Sequence, residues 1–186
     1  GSNYNMLPVC KYDTSQKFQQ AINNIILTTA KIFNNQTTLY FIPQEISIGG
    51  DEVSKYAWVN SPICTNWGNL SALQKEHLFF KKLSLNSKLD SIKLSGWQEF
   101  IQNDNNSIDN DTISPSKSGH VWVWQTSESG VQASINLANL GHNVVVAFAD
   151  LTYFDIAYTP DKNEPGFSWS TPYSDTYSAL RSAVAF

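Results

Sequence analysis

The chain has 186 residues, of which 41% are apolar and 13% aromatic, and these figures predict a globular chain with a sizeable core. A disordered chain is thereby excluded. The charged fraction is 15% and the net charge is −4, so we expect no basic surface that would bind nucleic acid. No apolar run reaches the roughly 18 residues of a membrane-spanning segment, and Gly1-Ser2 does not have the form of a signal peptide. The residues alone therefore leave localisation open.

The cysteines and histidines do not form a metal-binding pattern. Cys10 and Cys64 are too few for a disulfide-rich scaffold and are not clustered as zinc ligands would be, so we expect buried free thiols. His77, His120 and His142 are scattered, and none has a second histidine at helical spacing. We therefore predict no metal and no other cofactor.

The first segments alternate between helical and strand patterns. Apolar residues recur at helical spacing over residues 15–33 and predict an amphipathic helix, capped by Asp13 or Thr14. Residues 38–48 are rich in β-branched and aromatic side chains and predict a strand that stops at Gly49-Gly50. The two glycines therefore mark a tight turn.

The middle of the chain predicts a second helix and a second strand. Apolar residues at helical steps favour a helix over residues 70–85, and residues 91–97 favour a strand closed by Gln98-Glu99. Residues 102–119 are crowded with Asn, Asp and Ser and almost empty of apolar residues. We expect this stretch to be a solvated loop and a poor place for a core.

The last third of the chain repeats the alternation. Residues 120–125 predict a strand, residues 129–141 a helix ended by glycine, and residues 143–149 a continuous apolar strand. Prolines and a glycine then predict a long loop over residues 158–177, which contains Trp169.

Strands and helices that alternate at these spacings are typical of parallel βα units, so we expect an α/β fold in which four strands form one sheet. In such folds the carboxyl ends of the strands form the ligand-binding face. Carboxylates and aromatic rings together at that face are the residue types that a sugar site needs. The residues of these two types that follow the predicted strands are Asp51, Glu52, Trp97, Glu99, Trp124, Tyr153 and Asp155.

Four motifs in the same order resemble those of the family 20 glycoside hydrolases, the β-N-acetylhexosaminidases and bacterial chitobiases. Residues 47–53, Ser-Ile-Gly-Gly-Asp-Glu-Val, resemble the signature His-x-Gly-Gly-Asp-Glu. Residues 95–99 resemble the family's Gly-Trp-x-Glu strand end, and residues 123–126 resemble its next strand. Residues 153–155, Tyr-Phe-Asp, followed by Trp169, resemble the chitobiase loop after the seventh barrel strand.

The resemblance implies a (β/α)8 TIM barrel, a fold that typically needs about 250 residues. The 186 residues are too few for a closed barrel, so we expect a half-barrel, approximately strands four to seven with their helices. Residues 1–186 would then be a fragment of one glycoside hydrolase catalytic domain. Its expected partners are the remaining barrel segments of the parent enzyme, or a second copy of the chain through self-association.

The resemblance also implies substrate-assisted, retaining hydrolysis of terminal N-acetyl-β-glucosaminides, in which the sugar's own acetamido oxygen attacks the anomeric carbon. Glu52 would be the general acid, Asp51 the anion that orients the acetamide, and Tyr153 a hydrogen-bond donor to the acetamide carbonyl. Consecutive side chains of a regular strand point to opposite faces, so this use of two neighbours requires a strand break, which Gly49-Gly50 would supply. The residues implied to bind the sugar are Trp97, Trp124, Asp155 and Trp169.

The sequence departs from the family pattern in one visible place, because Ser47 stands where the family has histidine. The family's sugar-gripping arginine and one pocket tryptophan belong to barrel strands one and eight, so we expect the isolated chain to be impaired. The resemblance favours a secreted or periplasmic protein, and in that setting a bridge between Cys10 and Cys64 stays open.

Two other functions compete with a glycosidase. A non-catalytic carbohydrate-binding half-barrel would use the same aromatic residues to stack on sugar without turnover. A diguanylate cyclase also carries Gly-Gly-Asp-Glu, but its motif ends in Phe where this chain has Val53, and the tryptophans at the strand ends have no role in that chemistry.

Overall fold

The computed structural model describes residues 8–34, 44–103, 108 and 112–182, which divide into two compact units, Gly1–Val121 and Trp122–Phe186. No helix within these ranges is both long and apolar enough to cross a bilayer. The helices are α1 (Lys11–Thr14), α2 (Gln16–Asn34), α3 (Ala72–Ser84), α4 (Ser127–Asn139), α5 (Ala149–Thr152) and α6 (Thr176–Ser182), and the strands are β1 (Glu45–Ser47), β2 (Lys93–Trp97), β3 (Ser118–Val123) and β4 (Asn143–Val146).

The four strands form one sheet in the order β1-β2-β3-β4, which follows the chain. β1 runs parallel to β2, with Glu45 beside Lys93 and Ser47 beside Ser95. The predicted α/β fold with a parallel sheet is therefore confirmed. In β3 the buried side chains alternate with exposed ones from residue 119 to residue 123, as expected for a strand with two different faces.

The first predicted helix is confirmed as α2, but its predicted cap is wrong. Asp13 and Thr14 belong to the preceding short helix α1, and the Ser15 hydroxyl accepts a hydrogen bond from the Phe18 backbone N–H at 3.3 Å. Asp13 has a different partner, since its carboxylate accepts from the Trp67 indole N–H at 2.8 Å. Asp13 therefore accepts a tertiary hydrogen bond, and Ser15 accepts the bond at the start of α2.

The second predicted helix is confirmed as α3, which begins with a complete capping box. The Ser71 hydroxyl accepts from the Gln74 backbone N–H, and the Gln74 side chain accepts from the Ser71 N–H. Its apolar face is buried through Phe79, Phe80 and Leu83. This face supports the strand ends where the site residues of the first unit lie.

The first two predicted strands have different boundaries in the structure. β1 covers Glu45–Ser47, and residues 38–43 of the predicted first strand lie outside the described residues. β2 covers Lys93–Trp97, and a 3-10 turn at Gln98–Phe100 ends it at the predicted place.

The predicted solvated loop over residues 102–119 is partly wrong, because it does contribute to the core. Gln102 and Ile113 are each only 1% exposed, and β3 already begins at Ser118. Residues 104–107 and 109–111 lie outside the described part of the chain. The polar composition hid the burial because the fold also buries polar residues of this stretch, Gln102 and Ser118, beside the apolar Ile113.

The second unit follows the predicted alternation with shifted boundaries. α4 is followed by Gly141 at φ +91°, a left-handed residue that ends a helix. The predicted strand 143–149 stops at Val146, because Ala149–Thr152 forms the short helix α5. Asp150 of α5 accepts a 2.7 Å hydrogen bond from the Ser127 N–H, which satisfies a free donor at the start of α4.

Cys10 and Cys64 are joined by a disulfide, so the expectation of free thiols is wrong. Both residues are buried, and their Cα atoms lie 5.1 Å apart although 54 residues separate them in sequence. The hydrogen bond from Trp67 to Asp13 spans the same junction between α1 and the 3-10 helix Pro62–Trp67. Folding brings the two segments together, and the spacing of the cysteines could not reveal this.

Glu45, at the start of β1, connects three neighbouring strands. Its carboxylate accepts hydrogen bonds from the Ser95 hydroxyl of β2, from the His120 backbone N–H of β3 at 3.0 Å, and from His120 Nδ1 at 2.8 Å. Burial raises the pKa of Glu45, but the hydrogen bonds from Ser95 and His120 and the charge of His120 outweigh it, so the net pKa is lowered.

Removal of the disulfide, by Cys10→Ser together with Cys64→Ser, should lower the free energy of unfolding by about 4 kcal/mol, because the unfolded chain regains the freedom of a loop of this length. Urea unfolding with and without a reductant measures the effect. The reductant should destabilise the wild-type chain and leave the double variant unchanged. Equal unfolding midpoints for oxidised and reduced wild type would contradict the prediction.

Glu45→Gln should lower the free energy of unfolding at pH 7 by roughly 1 kcal/mol. Because the pKa is lowered in the folded state, Glu45 stabilises the fold above its unfolded pKa and loses this effect as pH falls through the folded value. The difference between the two proteins should therefore shrink toward pH 3 in urea titrations. Asp90→Asn, which removes an exposed pair with Lys117, is the matched control and should change little.

Candidate active site

The end of β1 is a sharp break that exposes two consecutive carboxylates. The Ile48 N–H donates to the Ser95 carbonyl at 2.9 Å, and the Gly49 carbonyl accepts from the Trp97 N–H at 2.9 Å, so pairing with β2 continues to Gly49. The chain then turns through left-handed backbone at Gly49, Gly50 and Glu52, with φ of +77°, +90° and +50°. Asp51 and Glu52 follow as exposed residues, outside the alternation of a regular strand.

The glycines at this break are required by close packing. A Cβ on Gly96 would lie 2.5 Å from the Gly49 carbonyl oxygen and 2.9 Å from Phe100 Cβ. A Cβ on Gly50 would lie 3.2 Å from the Phe80 ring of α3. The break therefore rests directly on β2 and α3, and its position is fixed by backbone contact.

Trp97 and Glu99 occupy the end of β2 and the 3-10 turn that follows it. Both residues are half-buried. The Glu99 backbone carbonyl accepts a 2.7 Å hydrogen bond from Nε2 of the buried His77. His77 thus attaches α3 to the turn that carries Glu99.

Glu76 is a residue of this region that the sequence analysis missed. It lies on α3, is 5% exposed, and its Oε2 is buried without a hydrogen-bond partner in the described structure. Burial, reinforced by the charges of Glu99 and Asp51, raises the pKa of Glu76 to about 8. The sequence did contain a signal for this burial. Glu76 precedes Phe80 by four residues, and this spacing places it on the apolar face of the helix.

The second unit holds four of the sequence-predicted site residues together. The Trp169 ring lies 6.2 Å from the Trp124 ring and 5.7 Å from the Tyr153 ring, centre to centre. The Asp155 carboxylate accepts a 2.9 Å hydrogen bond from the Trp169 indole N–H. Trp169 is 51% exposed and Asp155 is exposed, so a ring and a carboxylate are both accessible to a ligand.

The long loop places Trp169 by returning to the segment that follows Tyr153. The Phe167 N–H donates to the Asp155 carbonyl at 2.7 Å, and the Ala157 N–H donates to the Phe167 carbonyl at 3.1 Å. Gly166 permits this approach, since a Cβ there would lie 2.5 Å from the Ala157 nitrogen. The backbone therefore sets the distance between Asp155 and Trp169.

The chemistry available in each unit follows from these side chains. Aromatic rings with a carboxylate, as at Trp124, Tyr153, Asp155 and Trp169, suit the apolar face and the hydroxyls of a sugar. The exposed carboxylates Asp51 and Glu52 of the first unit suit proton transfer and charge stabilisation. In the described ranges no three His, Cys, Asp or Glu side chains converge as metal ligands would.

Comparisons with known proteins agree with the motifs. Residues 2–185 match the family described as glycosyl hydrolase family 20, catalytic domain. Two proteins named β-hexosaminidase are each 30% identical to the chain: the one from Vibrio vulnificus over 138 residues, 69% of this chain, and the one from Vibrio furnissii over 140 residues, 71% of this chain. The chain spans only 16% and 20% of the lengths of these two relatives.

Solved structures give the same result for the fold. An inactive mutant of the family 20 exo β-N-acetylglucosaminidase from Vibrio harveyi superposes with a TM-score of 0.62 at 23% identity, covering 87% of this chain and 22% of that one. The β-N-acetylhexosaminidase from Bacteroides fragilis superposes with a TM-score of 0.54 at 16% identity, covering 85% and 31%. Both structures therefore share the fold of this chain.

Gly96→Ala should displace the break at the end of β1, because the added methyl group meets the Gly49 carbonyl and Phe100. We expect a loss of about 1–3 kcal/mol in the free energy of unfolding and shifted amide NMR signals from Gly49 to Glu52. Gly68→Ala is the control: a Cβ there meets nothing within 4 Å, so its cost of about 1–3 kcal/mol comes from a backbone conformation nearly restricted to glycine, and its Gly49–Glu52 signals should not shift. Unchanged Gly49–Glu52 signals in Gly96→Ala would contradict the prediction.

Proposed function

The chain belongs to glycosyl hydrolase family 20, and on that premise we propose that the protein is a β-N-acetylhexosaminidase that hydrolyses terminal N-acetyl-β-glucosaminides. The observation that carries the proposal is the exposed pair Asp51 and Glu52, which follows a glycine-broken strand end. Two neighbouring carboxylates outside strand alternation can serve one substrate in two different roles. The disulfide between Cys10 and Cys64 supports a secreted or periplasmic setting, where such bonds persist.

We propose that residues 1–186 form part of one catalytic domain, approximately strands four to seven of a (β/α)8 barrel. The consecutive strand order β1-β2-β3-β4 supports this, because neighbouring strands of such a barrel also follow the chain. A half-barrel leaves the inner face of its sheet uncovered. Its partners would be the remaining barrel segments of the parent enzyme or, failing these, a second copy of the chain.

In the first proposed step, the carbonyl oxygen of the substrate's 2-acetamido group attacks the anomeric carbon. The bond between that carbon and the leaving oxygen breaks, and Glu52 gives its proton to the leaving oxygen. The sugar is left as an oxazolinium ion. Asp51 would accept a hydrogen bond from the acetamide N–H, orient the group for attack and stabilise the positive charge that develops on it.

In the second proposed step, a water molecule attacks the anomeric carbon from the side that the leaving group left. Glu52, now a carboxylate, takes a proton from this water, and the acetamide is regenerated as the ring opens. Two inversions at the same carbon give net retention. Glu52 returns to its protonated form, so the cycle is closed without any external acid, base or cofactor.

The remaining site residues would bind the sugar. Tyr153 would donate its hydroxyl to the acetamide carbonyl, and Asp155 would accept from sugar hydroxyls. The rings of Trp97, Trp124 and Trp169 would wall the acetamide and stack on the sugar. The contact of Trp169 with both Tyr153 and Asp155 supports a shared role for these three residues.

The chain by itself should hydrolyse substrate poorly. Ser47 removes a hydrogen-bonding histidine found in the family pattern, and the sugar-gripping arginine of that pattern has no counterpart among the motifs recognised in this chain. Loss of positioning groups lowers rates strongly even where the reacting carboxylates are present. We therefore propose full activity for the whole enzyme and impaired activity for this chain alone.

A second candidate is a protein that binds carbohydrate without turnover. The exposed ring of Trp169 beside the Asp155 carboxylate favours it, because this pair can bind a sugar without the acid pair. Tryptophan fluorescence during titration of the chain with N-acetylglucosamine detects such binding. Saturable binding with no release of product by the full-length protein would select this candidate over the hydrolase.

In the full-length enzyme, Glu52→Gln should lower kcat by roughly 10²–10⁴-fold on chitobiose, because the general acid is lost. The loss should be smaller on aryl N-acetyl-β-glucosaminides with good leaving groups, which need little protonation. Asp51→Asn should impair all of these substrates alike, because it acts on the attacking acetamide. Glu128→Gln, an exposed glutamate on α4, is the control and should keep wild-type rates.

Two results would overturn the roles assigned to this pair. If Glu52→Gln hydrolyses chitobiose at the wild-type rate, Glu52 is not the general acid. If Asp51→Asn hydrolyses aryl substrates at the wild-type rate, Asp51 is not the orienting anion. Circular dichroism of each variant shows whether a lost rate reflects chemistry or a lost fold.

A further inference from the structure

Glu76 lies on the face of α3 that supports the break at the end of β1. It is one helical turn from Phe80, and residues four apart share a face of a helix. The Phe80 ring lies under Gly50 and 5.1 Å from the Phe100 ring, centre to centre. Glu76 shares this face of α3 with Phe80, and its carboxyl interacts electrostatically with Glu99 of the 3-10 turn and with Asp51.

The groups that face Glu76 are acidic. Among the described residues, the charges that act on its carboxyl are those of Asp51 and Glu99, one from each turn packed against α3. The neighbours of Glu76 on the helix form hydrogen bonds with other groups. Lys75 donates an ammonium N–H to the Leu70 carbonyl, and His77 donates its Nε2–H to the Glu99 carbonyl.

An ionised Glu76 in this place would be costly. A buried carboxylate is tolerated where a cation or several donors compensate for its lost hydration, and here Oε2 has no hydrogen-bond partner in the described structure. The same burial and the same two neighbouring charges raise the pKa of Glu76 to about 8. The carboxylic acid, which adds no charge to the cluster, fits the site.

We propose that Glu76 is a positioning residue, which as a neutral acid leaves the Asp51 carboxylate in place and which, once ionised, displaces that carboxylate. The coupling is electrostatic: a third negative charge repels those of Asp51 and Glu99, and because Glu76 is buried, water screens its charge less than that of a surface carboxylate. Asp51 is exposed and follows the part of the turn that backbone contacts hold in place, so its side chain can move away from the added charge. The alkaline form therefore loses the arrangement of the Asp51–Glu52 segment.

The consequence for catalysis rests on the function proposed above for Asp51. Its carboxylate must be ionised and close to the acetamide N–H when the acetamide attacks. A neutral Glu76 leaves the Asp51 carboxylate in its place beside the acetamide, whereas an ionised Glu76 repels it from that place. The enzyme would then lose activity above about pH 8 through a residue that does not touch the substrate.

A carboxyl ¹³C NMR titration of this chain tests the coupling without any activity measurement. The Glu76 signal should titrate with a midpoint near pH 8, and the Asp51 signal should show a second inflection at the same pH. In Glu76→Gln, which keeps the shape of the neutral acid, the second inflection of Asp51 should vanish. The exposed-site control Glu128→Gln should retain it.

A kinetic measurement on the full-length enzyme carries the test to catalysis. The ratio of kcat/KM in Glu76→Gln to that in wild type should be constant below pH 7 and should rise above pH 8, by up to about tenfold per pH unit. A variant with only a structural defect would give a ratio that does not change with pH.

The outcomes separate this inference from the proposed function. A Glu76 midpoint within one unit of 4.5, or an Asp51 trace unaffected by Glu76→Gln, would overturn the inference even if Glu52→Gln abolishes hydrolysis. Normal hydrolysis by Glu52→Gln would overturn the proposed function and leave the titration result standing. If Glu76→Gln fails to fold, the wild-type titration of Glu76 and Asp51 still decides, because a missing shared inflection rejects the coupling.

Discussion

The Gly49 carbonyl oxygen is the point on which the acid-bearing segment depends. It accepts the last hydrogen bond between β1 and β2, from the Trp97 N–H at 2.9 Å, and it packs against Gly96 so closely that no larger residue fits there. Beyond this bond the backbone turns through left-handed conformations and leaves the sheet. Asp51 and Glu52 are exposed together because the strand ends at that contact.

The support beneath this break combines apolar and acidic groups. Phe80 and Phe100 give it a rigid base, and Glu76 brings a buried carboxyl close to the charge of Asp51. Natural helices rarely bury an unpaired acid, because the cost of its ionisation is several kcal/mol. Glu76 lies on the face of α3 that supports the break. The inferred effect of its protonation state on the position of Asp51 concerns the residue proposed above as the orienting anion.

In the second unit, a loop that returns to the segment after Tyr153 fixes the positions of Asp155 and Trp169. Backbone hydrogen bonds between Phe167 and both Asp155 and Ala157 hold the two ends of that loop together. Trp169 then contacts Tyr153 and donates to Asp155. A ring that is fixed by its neighbours and still half exposed can stack on a sugar with little loss of side-chain entropy.

The sequence by itself determined the elements whose signal is local. The periodicity of residues 70–85 predicted α3, and Gly49-Gly50 predicted the end of β1, because helix faces and glycine turns depend on near neighbours in the chain. The order of four motifs also identified the family and the candidate residues. Only the tertiary structure decided that Cys10 and Cys64 bond, that Ile113 enters the core and that Glu76 is buried beside Asp51. Each of these depends on segments far apart in sequence, whose approach is set by packing and is not encoded in any local pattern.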